Sequence, residues 1–276
     1  MIPAPPTTAT LPIIGLSHVG VKAAEITRSC AFYHDFLGFA EQCRLNYLTT
    51  GALMLVCYKV SDEQWIEVFA GLRPGENRMH QVAFRVTDAE AIRVCLAAQG
   101  GDVPTTTPVG QMGNFNFVVP DPSGQIVEFV QHLPTGITDR DRGKFLPGTR
   151  ISGRIRHARI VVDDLAHGAV FYGSLGLPVV GPARSAATGP ARSQRRTTPS
   201  GDFVEFVVGA GSEAQFGLEV PDLVAARKKL ESSPYRENYP RPLAEQVGSD
   251  GGRFLDVFDP DGTCIRLTES PRLNAS

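Results

Sequence analysis

Several features are scarce or missing in this 276-residue sequence, and each excludes a class of protein. No apolar run approaches the roughly 20 residues that a membrane-spanning helix needs. The first residues are rich in proline and threonine and show no basic segment followed by an apolar one, so we expect no secretory signal. The formal net charge is only -2, which argues against nucleic acid or an anionic membrane as the main partner.

Cysteine is also scarce, at five residues, and these are scattered without a C-x-x-C pair. An odd and scattered set argues against a disulfide framework and against a thiolate zinc site. A reducing compartment fits best, so we expect a cytoplasmic protein. With 42% apolar and 20% charged residues, the chain is long enough for two modest domains with proper cores.

What the sequence does contain is an internal repeat. A polar stretch rich in proline, glycine and charge separates the two copies, which is typical of a linker. We therefore predict an N-terminal domain over residues 12–132, a linker over 133–154 and a C-terminal domain over 155–271. The paired positions, all 138 or 139 residues apart, are His18 with His157, Phe32-Tyr33 with Phe171-Tyr172, Leu37-Gly38 with Leu175-Gly176, Glu67 with Glu205, and Asp121-Pro122 with Asp259-Pro260.

Each copy divides again into two modules, which predicts four βαβββ units and an α+β fold. Phenylalanines at 32, 36, 39 and 84 are expected in the core. The second half is expected to have a long loop over 183–200, a strand over 203–208, a helix over 223–231 and a last strand over 264–268. In the first half we expect strands over 15–22, 41–48, 52–60, 64–69, 81–86, 103–109, 115–119 and 125–130, and helices over 27–36 and 89–99, the latter capped by Asp88.

The hairpin that ends the first half makes a chemical demand. A tight turn, Asp121-Pro122-Ser123-Gly124, leads into an apolar strand that carries Glu128 in its middle. Because a buried, unpaired carboxylate is costly, Glu128 requires a cation, a hydrogen-bond donor or a metal beside it. The corresponding position of the second half is Arg266, so we expect the two halves to differ in function.

These features together resemble the vicinal oxygen chelate superfamily: four βαβββ units, a histidine in the first strand, F-Y-x-x-x-L-G at a helix end, and D-P-x-G-x-x-x-E in a last hairpin. That superfamily includes glyoxalase I, extradiol ring-cleaving dioxygenases, and the fosfomycin and bleomycin resistance proteins. The resemblance covers residues 15–270 and is specific for fold rather than for reaction. It implies two tandem cupped domains with one divalent metal (Fe, Mn, Ni or Zn) in a cup.

The resemblance also implies which positions hold the metal. In the first half they are His18, Glu67, Gln81 and Glu128, and in the second half His157, Glu205, Gln215 and Arg266. Because an arginine would repel a dication, the C-terminal site is expected to be degenerate. Pairing of modules one and two assembles the first set. Pairing of modules two and three would instead combine Gln81 and Glu128 with His157 and Glu205. Short connections favour sequential neighbours, so we expect the first arrangement.

His80, directly before Gln81, is a competing ligand. Strand alternation places Gln81 on the cup-facing side with Ala83 and Arg85, and His80 on the opposite, helix-facing side. A β-bulge would turn His80 inward. In that case His18, His80 and Glu128 would form the two-His-one-carboxylate triad that suits non-haem iron. Both ligands stay open at this point.

Other residues have expected roles around the metal. Glu67 and Glu128 are the candidate catalytic residues, with Glu67 acting as a fourth ligand or a general base unless it faces solvent on an edge. Trp65 shares a strand face with Glu67 and is expected to contact substrate. The amide of Asn116 is a further substrate contact. Lys22 and Arg85 could meet an anionic substrate group at the rim, although strand-end cations are more often simply solvated.

Three functions are consistent with these residues. The first is a metal-dependent dioxygenase acting on a small molecule with vicinal oxygens. The second is a glyoxalase-type isomerase or lyase, in which a metal polarises a carbonyl and a carboxylate moves the proton. The third is a non-catalytic small-molecule binder of the resistance type. A homodimer is possible, and neither the substrate nor the metal is specified by the sequence.

Overall fold

The computed structural model describes residues 11–181, 184–185, 191–209, 215–248 and 251–269. In these residues the chain forms two mixed β-sheets, of seven and eight strands, with helices packed against them. The predicted α+β class is confirmed. Among the described residues, no helix is both long enough and apolar enough to cross a membrane.

The first sheet contains the strands of modules one and two. Its elements are β1 (Ile13–Ala23), α1 (Ile26–Ala31, continued by a π-helical turn over Phe32–Phe36), β2 (Ala40–Asn46), β3 (Leu53–Lys59), β4 (Trp65–Ala70), β5 (Met79–Val86), α2 (Ala89–Ala98), β6 (Phe115–Pro120) and β7 (Ile126–Gln131). A short helix, α3 (Ile137–Arg140), lies in the connection to the second half.

The second sheet contains the strands of modules three and four. Its elements are β8 (Arg154–Val162), α4 (Leu165–Ser174), β9 (Arg184–Ser185), β10 (Ala191–Thr197), β11 (Phe203–Val208), β12 (Gln215–Val220), α5 (Leu223–Glu231), a 3-10 turn over Pro234–Asn238, β13 (Glu245–Val247), β14 (Arg253–Phe258) and β15 (Cys264–Glu269).

Modules one and two pair with each other, as the short connection between them predicted. The order in the first sheet is β2-β3-β4-β1-β5-β7-β6, so the first strands of the two modules meet at its centre. β1 runs antiparallel to β5, while β1–β4 and β5–β7 are parallel pairs. The last strand of each module therefore flanks its first strand, and the middle of the sheet consists of β4, β1, β5 and β7.

Local sequence accounts for several element ends. The Asp88 side chain accepts a hydrogen bond of 2.9 Å from Ala91 N and caps α2, as predicted. Gly38 follows the π-helical turn with a φ of +75°, and a β-carbon there would lie 2.0 Å from the carbonyl oxygen of Thr149. Glycine is therefore required both for the backbone conformation and for the close approach of the connecting segment. The four phenylalanines expected in the core are all buried.

Two predicted elements are wrong. Residues 103–109 do not form a strand, because Pro104 and Pro108 lack backbone donors, and only an isolated bridge joins Val109 to Phe115. The loop predicted over 183–200 contains the seven-residue strand β10. Its arginine-rich sequence looked like a loop, but Arg196 is buried and donates to the carbonyl oxygens of Leu177 and Ala169.

The repeated F-Y and D-P-x-G motifs join the two halves. The Tyr33 hydroxyl donates to Asp259 at 3.1 Å, and the Tyr172 hydroxyl donates to Asp121 at 3.0 Å, so each half holds a turn of the other. Asp121 Oδ1 also accepts the backbone N–H groups of residues 123 and 125 inside its own turn, at 2.8 and 2.9 Å. These motifs therefore serve turn geometry and packing between the halves rather than chemistry.

Candidate metal centre

Four polar side chains converge from the four central strands of the first sheet. They are His18 on β1, Glu67 on β4, Gln81 on β5 and Glu128 on β7. Gly20 is the Cα partner of both Glu67 and Gln81, so the register sets these side chains level with one another. Because side chains alternate along each strand, all four project from the same face.

Three of these residues form a compact donor set. His18 Nε2 lies 3.0 Å from Glu128 Oε2 and 3.4 Å from Glu67 Oε2. One ligand atom from each of the three lies within 4.8 Å of the others, and all three residues are buried. An imidazole nitrogen and two carboxylate oxygens at these separations can coordinate one divalent ion.

The Gln81 amide marks the point on which this set converges. Its Nε2 atom lies 2.9 Å from His18 Nε2, 3.0 Å from Glu67 Oε2 and 2.5 Å from Glu128 Oε2. A weakly positive NH₂ group thus lies against two carboxylate oxygens and an imidazole nitrogen, three atoms that can all ligate a cation. The donor set therefore fits a divalent metal, for which Gln81 would present its amide oxygen.

Room for Gln81 depends on a missing side chain. A β-carbon on Gly20 would lie 2.7 Å from Gln81 Cγ and 2.9 Å from Phe69 Cε2. Contacts below 3.0 Å are essentially never seen for real β-carbons, so any larger residue would displace one of these two side chains. Gly20 therefore permits the Gln81 side chain to reach the centre of the cluster.

The cluster carries uncompensated negative charge. In the described part of the chain, the side-chain partners of the two carboxylates are His18, Trp65, Gln81 and Asn116, none of which is a permanent cation. Burial raises the pKa of Glu67, and the nearby Glu128 raises it further against the opposing effect of His18. Burial lowers the pKa of His18, but Glu67 and Glu128 outweigh that effect and the net shift is upward.

Two residues expected to contact substrate also orient the carboxylates. Trp65 Nε1 donates to Glu67 Oε1 at 3.0 Å, and its ring stacks on His18 with 4.7 Å between centroids. Asn116 Nδ2 donates to Glu128 Oε1 at 2.6 Å. Both residues also line the cavity above the cluster. They leave the second oxygen of each carboxylate facing His18, as outer partners of metal ligands do.

The expected position of His80 is wrong. One step along β1, from Gly20 to Val21, corresponds to two steps on β5, from Gln81 to Met79, so His80 is the extra residue of a bulge. The bulge turns His80 to the cup-facing side, where its ring stacks on Phe69 at 3.8 Å. It does not join the donor set. Instead, His80 Nδ1 lies 3.0 Å from Gln81 Oε1, so a metal that takes this amide oxygen as a ligand would require the Gln81 amide to turn over.

The two cations expected at the rim lie elsewhere. Lys22 Nζ pairs with Glu76 at 3.2 Å, and Arg85 pairs with Glu63 in a crevice that also contains residues of the second half. Neither residue lines the cavity above the cluster. The expectation that they meet an anionic substrate group is therefore not supported, because each charge is already balanced by a glutamate.

A cavity of about 400 Å³ opens above the cluster. Its wall includes Val109, the last residue of the segment wrongly expected to be a strand, and Gly110, Gln111 and Met112, which follow it. Among the described residues, no lysine or arginine lines it. Sequence reasoning missed most of this wall because apolar strand residues look like core. The remaining lining residues are Leu45, Leu48, Met54, Leu55, Phe69, Asn114, Val118 and Val130, together with the cluster, Trp65 and Asn116.

The second half has a similar cup with different chemistry. Glu205 accepts hydrogen bonds from Arg159 at 2.9 Å and from Arg195 at 3.1 Å, and Arg266 binds Asp256 at 2.8 and 2.7 Å. Although burial raises the pKa of Glu205, the two arginines outweigh that effect and lower it. Burial lowers the pKa of His157 to about 3. Guanidinium groups thus supply the positive charge, as the arginine at this ligand position predicted.

Solved structures match nearly the whole chain, whereas the other comparisons found nothing. No protein-family model matches it, and no curated protein does. The 2,3-dioxygenase LapB from Pseudomonas sp. KL28 matches with a TM-score of 0.73 at 16% identity, over 97% of each chain. An extradiol ring-cleaving dioxygenase from B. fuscum matches with a TM-score of 0.71 at 18% identity, over 96% of this chain and 74% of that one.

Homoprotocatechuate 2,3-dioxygenase from Arthrobacter globiformis matches with a TM-score of 0.68 at 16% identity, over 96% of this chain and 83% of that one. Such identities establish the fold and leave the activity open. The buried His18, Glu67 and Glu128 group thus lies within a fold that is shared with an extradiol ring-cleaving dioxygenase. The chain has the tandem vicinal oxygen chelate fold that its motifs predicted.

Proposed function

We propose that the protein is a divalent-metal enzyme whose single working centre lies in the N-terminal half. One observation carries the proposal: two buried carboxylates and an imidazole converge without any permanent cation to balance them. Leaving two such carboxylates ionised inside a protein is costly unless a positive charge is bound between them. A divalent ion bound by His18, Glu67 and Glu128, with Gln81 alongside, removes this cost.

An ion held there would polarise an oxygen of the bound molecule and stabilise negative charge on it. Glu67 is the candidate proton carrier, because it lines the cavity and its Oε2 faces the cluster. Trp65 holds one oxygen of Glu67 through its N–H, which leaves the other oxygen directed into the cluster. Glu128 is held by Asn116 and is better placed to stay fixed as a ligand.

The cavity indicates the class of molecule. Its wall is mostly apolar and, in the part of the chain that the structure describes, carries no lysine or arginine to meet an anionic tail. A volume of about 400 Å³ lies within the range usual for small-molecule sites. We therefore propose a small, uncharged and largely apolar molecule that presents two vicinal oxygens to the ion. Gln111 and Asn116 also present amides to the cavity, where a polar substituent would meet them, whereas the Asn114 amide is already bonded to Thr138 and to Leu133 N.

The donor set favours proton transfer as the reaction. Non-haem iron oxygenases typically use two histidines and one carboxylate with open positions. Here the second histidine, His80, stacks on Phe69 and stays outside the set, which has one imidazole and two carboxylates. A glyoxalase-type isomerase or lyase, in which Glu67 moves a proton next to a polarised carbonyl, is therefore our first candidate.

A ring-cleaving dioxygenase is the second candidate. The observation that favours it is the fold, since the extradiol dioxygenases named above match almost the whole of this chain. The amide oxygen of Gln81 would then take the ligand position that a second histidine occupies in a two-His-one-carboxylate site. The two candidates differ in what they consume, because only the dioxygenase takes up dioxygen.

The test begins with metal content. The full-length protein is stripped with a chelator, reloaded separately with Fe(II), Mn(II), Ni(II) or Zn(II), and analysed for bound metal. We expect one ion per chain, lost in Glu128→Gln and retained in the matched control Glu205→Gln. Equal metal loss in both variants, or no metal in the parent protein, would overturn the proposal and leave a non-catalytic binder.

The loaded protein is then assayed for both reactions. A panel of α-hydroxyketones and α-ketoaldehydes in D₂O reports proton transfer through deuterium incorporation, and a catechol panel with an oxygen electrode reports ring cleavage. Deuterium exchange that requires Glu67 supports the first candidate. Dioxygen uptake without exchange supports the second candidate and rejects the first.

A further inference from the structure

Two cysteines face each other in the wall of the metal cup. Cys43 on β2 and Cys57 on β3 are direct Cα partners in an antiparallel pair, and both are free thiols. The next pair on the same face is Leu45 with Leu55, and both of these line the cavity. The thiol pair is therefore the next pair on the same face of the β2–β3 ladder, beside the leucine pair that lines the cavity.

The geometry of this pair is close to that of a disulfide. Directly opposed residues of an antiparallel pair have β-carbons about 4.5–5.5 Å apart, and a disulfide requires about 3.5–4.5 Å. Both side chains point the same way, because Cys43 packs against the cluster that contains Cys57 and Trp65. Bond formation thus needs strand adjustments of about 1 Å or less.

The two thiols differ in their access to solvent. Cys57 is fully buried. Cys43 is partly exposed, so a dissolved oxidant reaches it first. An accessible first thiol beside a buried second one is the arrangement that converts a sulfenic acid into a disulfide.

We infer that Cys43 and Cys57 are a redox-responsive pair that closes to an intramolecular disulfide in the wall of the first cup. With hydrogen peroxide as oxidant, Cys43 becomes a sulfenic acid and one water is released. The Cys57 sulfur then attacks the Cys43 sulfur, and the hydroxyl group leaves with the Cys57 proton as a second water. The two thiols lose two electrons in total, and the peroxide gains them.

The position of the bond ties it to the centre. Cys57 is also the direct Cα partner of Glu67 across β3 and β4, so the crosslink forms one strand away from the cluster. It joins β2 to β3 beside Leu45 and Leu55, which lie in the cavity wall. The inference concerns these two thiols alone and stands whether or not the proposed function is correct.

Peptide mapping tests this inference on the full-length protein. After graded peroxide treatment and alkylation, trypsin separates peptide 29–44 from peptide 45–59. We expect a mass loss of about 2 Da and a link between these peptides, both reversed by a reductant. Because peptide 29–44 also contains Cys30, the link must persist in Cys30→Ser and disappear in Cys43→Ser. Cys95→Ser, with its cysteine on α2, is the matched control and must also retain the link.

Two results would overturn the inference. One is that Cys43 and Cys57 both stay alkylatable at a peroxide concentration that oxidises Cys95. The other is that Cys43 proceeds to a sulfinic acid while Cys57 stays free. Trp65, the single tryptophan, packs in the same cluster and gives a second readout by its emission. An emission change that is equal in the parent protein and in Cys43→Ser would also contradict the inference.

Discussion

The two cups of this protein have a similar strand order and opposite electrostatics. In the first cup, Glu67 and Glu128 face each other across His18 with no permanent cation between them. In the second cup, Glu205 lies between Arg159 and Arg195, and Arg266 occupies the position that Glu128 has in the first. One cup requires an external positive charge, and the other contains its own.

If the first cup holds an ion as proposed, this difference shows how a metal centre can be lost without loss of the fold. A buried carboxylate needs a compensating charge, and a guanidinium group can supply it as an ion does. Once Arg159 and Arg195 bind Glu205, the second sheet no longer needs a ligand for its stability. Four experiments follow from this contrast. The first three test whether arginines in the second cup replace the ion proposed for the first, and the fourth tests the contact between the halves.

The largest expected effect comes from transferring the arginine. Glu128→Arg gives the first cup the charge of the second, so ion affinity should fall at least about a thousandfold, since the loss of outer partners alone costs 10–100-fold. Isothermal titration with Mn(II) measures the change. Arg266→Ala in the second cup is the control and should leave the affinity within twofold. Measurable Mn(II) binding by Glu128→Arg near the parent affinity would contradict the assignment of the centre.

Acid should separate the two buried histidines. The pKa of His157 is lowered from 6.5 to about 3, so below pH 6.5 the unfolded chain takes up a proton that the folded protein refuses. Its contribution is present above pH 6.5 and is lost as the pH falls towards 3. Urea unfolding at pH 7 and at pH 4 measures the free energy of unfolding. The loss between these two pH values should be smaller in His157→Asn than in the parent protein, by about 2–3 kcal/mol.

His18 supplies the opposite sign for the same experiment. Its pKa is raised, so the folded protein holds that proton more tightly than the unfolded chain does. A His18→Asn variant of the metal-free protein should therefore not reduce the loss of free energy of unfolding between pH 7 and pH 4. An equal reduction by both variants would show that the two sites share one electrostatic environment.

Removal of a carboxylate should have opposite effects in the two cups. Glu205→Gln leaves two partly buried guanidinium groups without their shared partner, so unfolding free energy should fall by about 1–2 kcal/mol. Glu67→Gln in the metal-free protein removes one of two opposed carboxylates and should leave stability unchanged or raise it. Guanidinium chloride unfolding of both variants, each after chelation, measures the two signs. A similar loss in both would reject the contrast.

The smallest effects are expected where the halves are alike. Tyr33→Phe and Tyr172→Phe each remove one hydrogen bond between the halves, to Asp259 and to Asp121. Each should cost about 1 kcal/mol, because the backbone donors of the turns still satisfy the carboxylates. Thermal unfolding compares them, with Tyr47→Phe as an exposed control. Costs that differ severalfold would show that the two hydrogen bonds do not stabilise the contact between the halves equally.

The sequence was sufficient for those features that depend on residue identity at equivalent positions. The exchange of Glu128 for Arg266 predicted which cup is intact, and strand alternation placed Gln81 correctly. It failed for His80, because a bulge shifts the alternation and nothing in the local residues of β5 signals it. It also failed for Arg85, whose partner Glu63 lies 22 residues away and becomes a neighbour only in the folded sheet.

The prediction for the segment that contains β10 was wrong for a related reason. Composition alone makes an arginine-rich segment look solvated, yet Arg195 meets Glu205 directly across the ladder. The segment over 103–109 failed in the other direction, because two prolines prevent the ladder that its apolar residues favour. For β10 the missing information was its partner strand, whereas the segment over 103–109 was misjudged although its own prolines oppose a strand.

The crossed Tyr33–Asp259 and Tyr172–Asp121 bonds bear on why the second half persists although no donor set like that of the first cup is found among its described residues. The turn that leads into the strand of Glu128 is held by a tyrosine of the other half, so truncation of that half would release it. Substitutions can accumulate inside the second cup while those along the contact between the halves are selected against. We therefore expect sequence divergence along this chain to be uneven, fast where the second cup faces solvent and slow at the contact between the two halves.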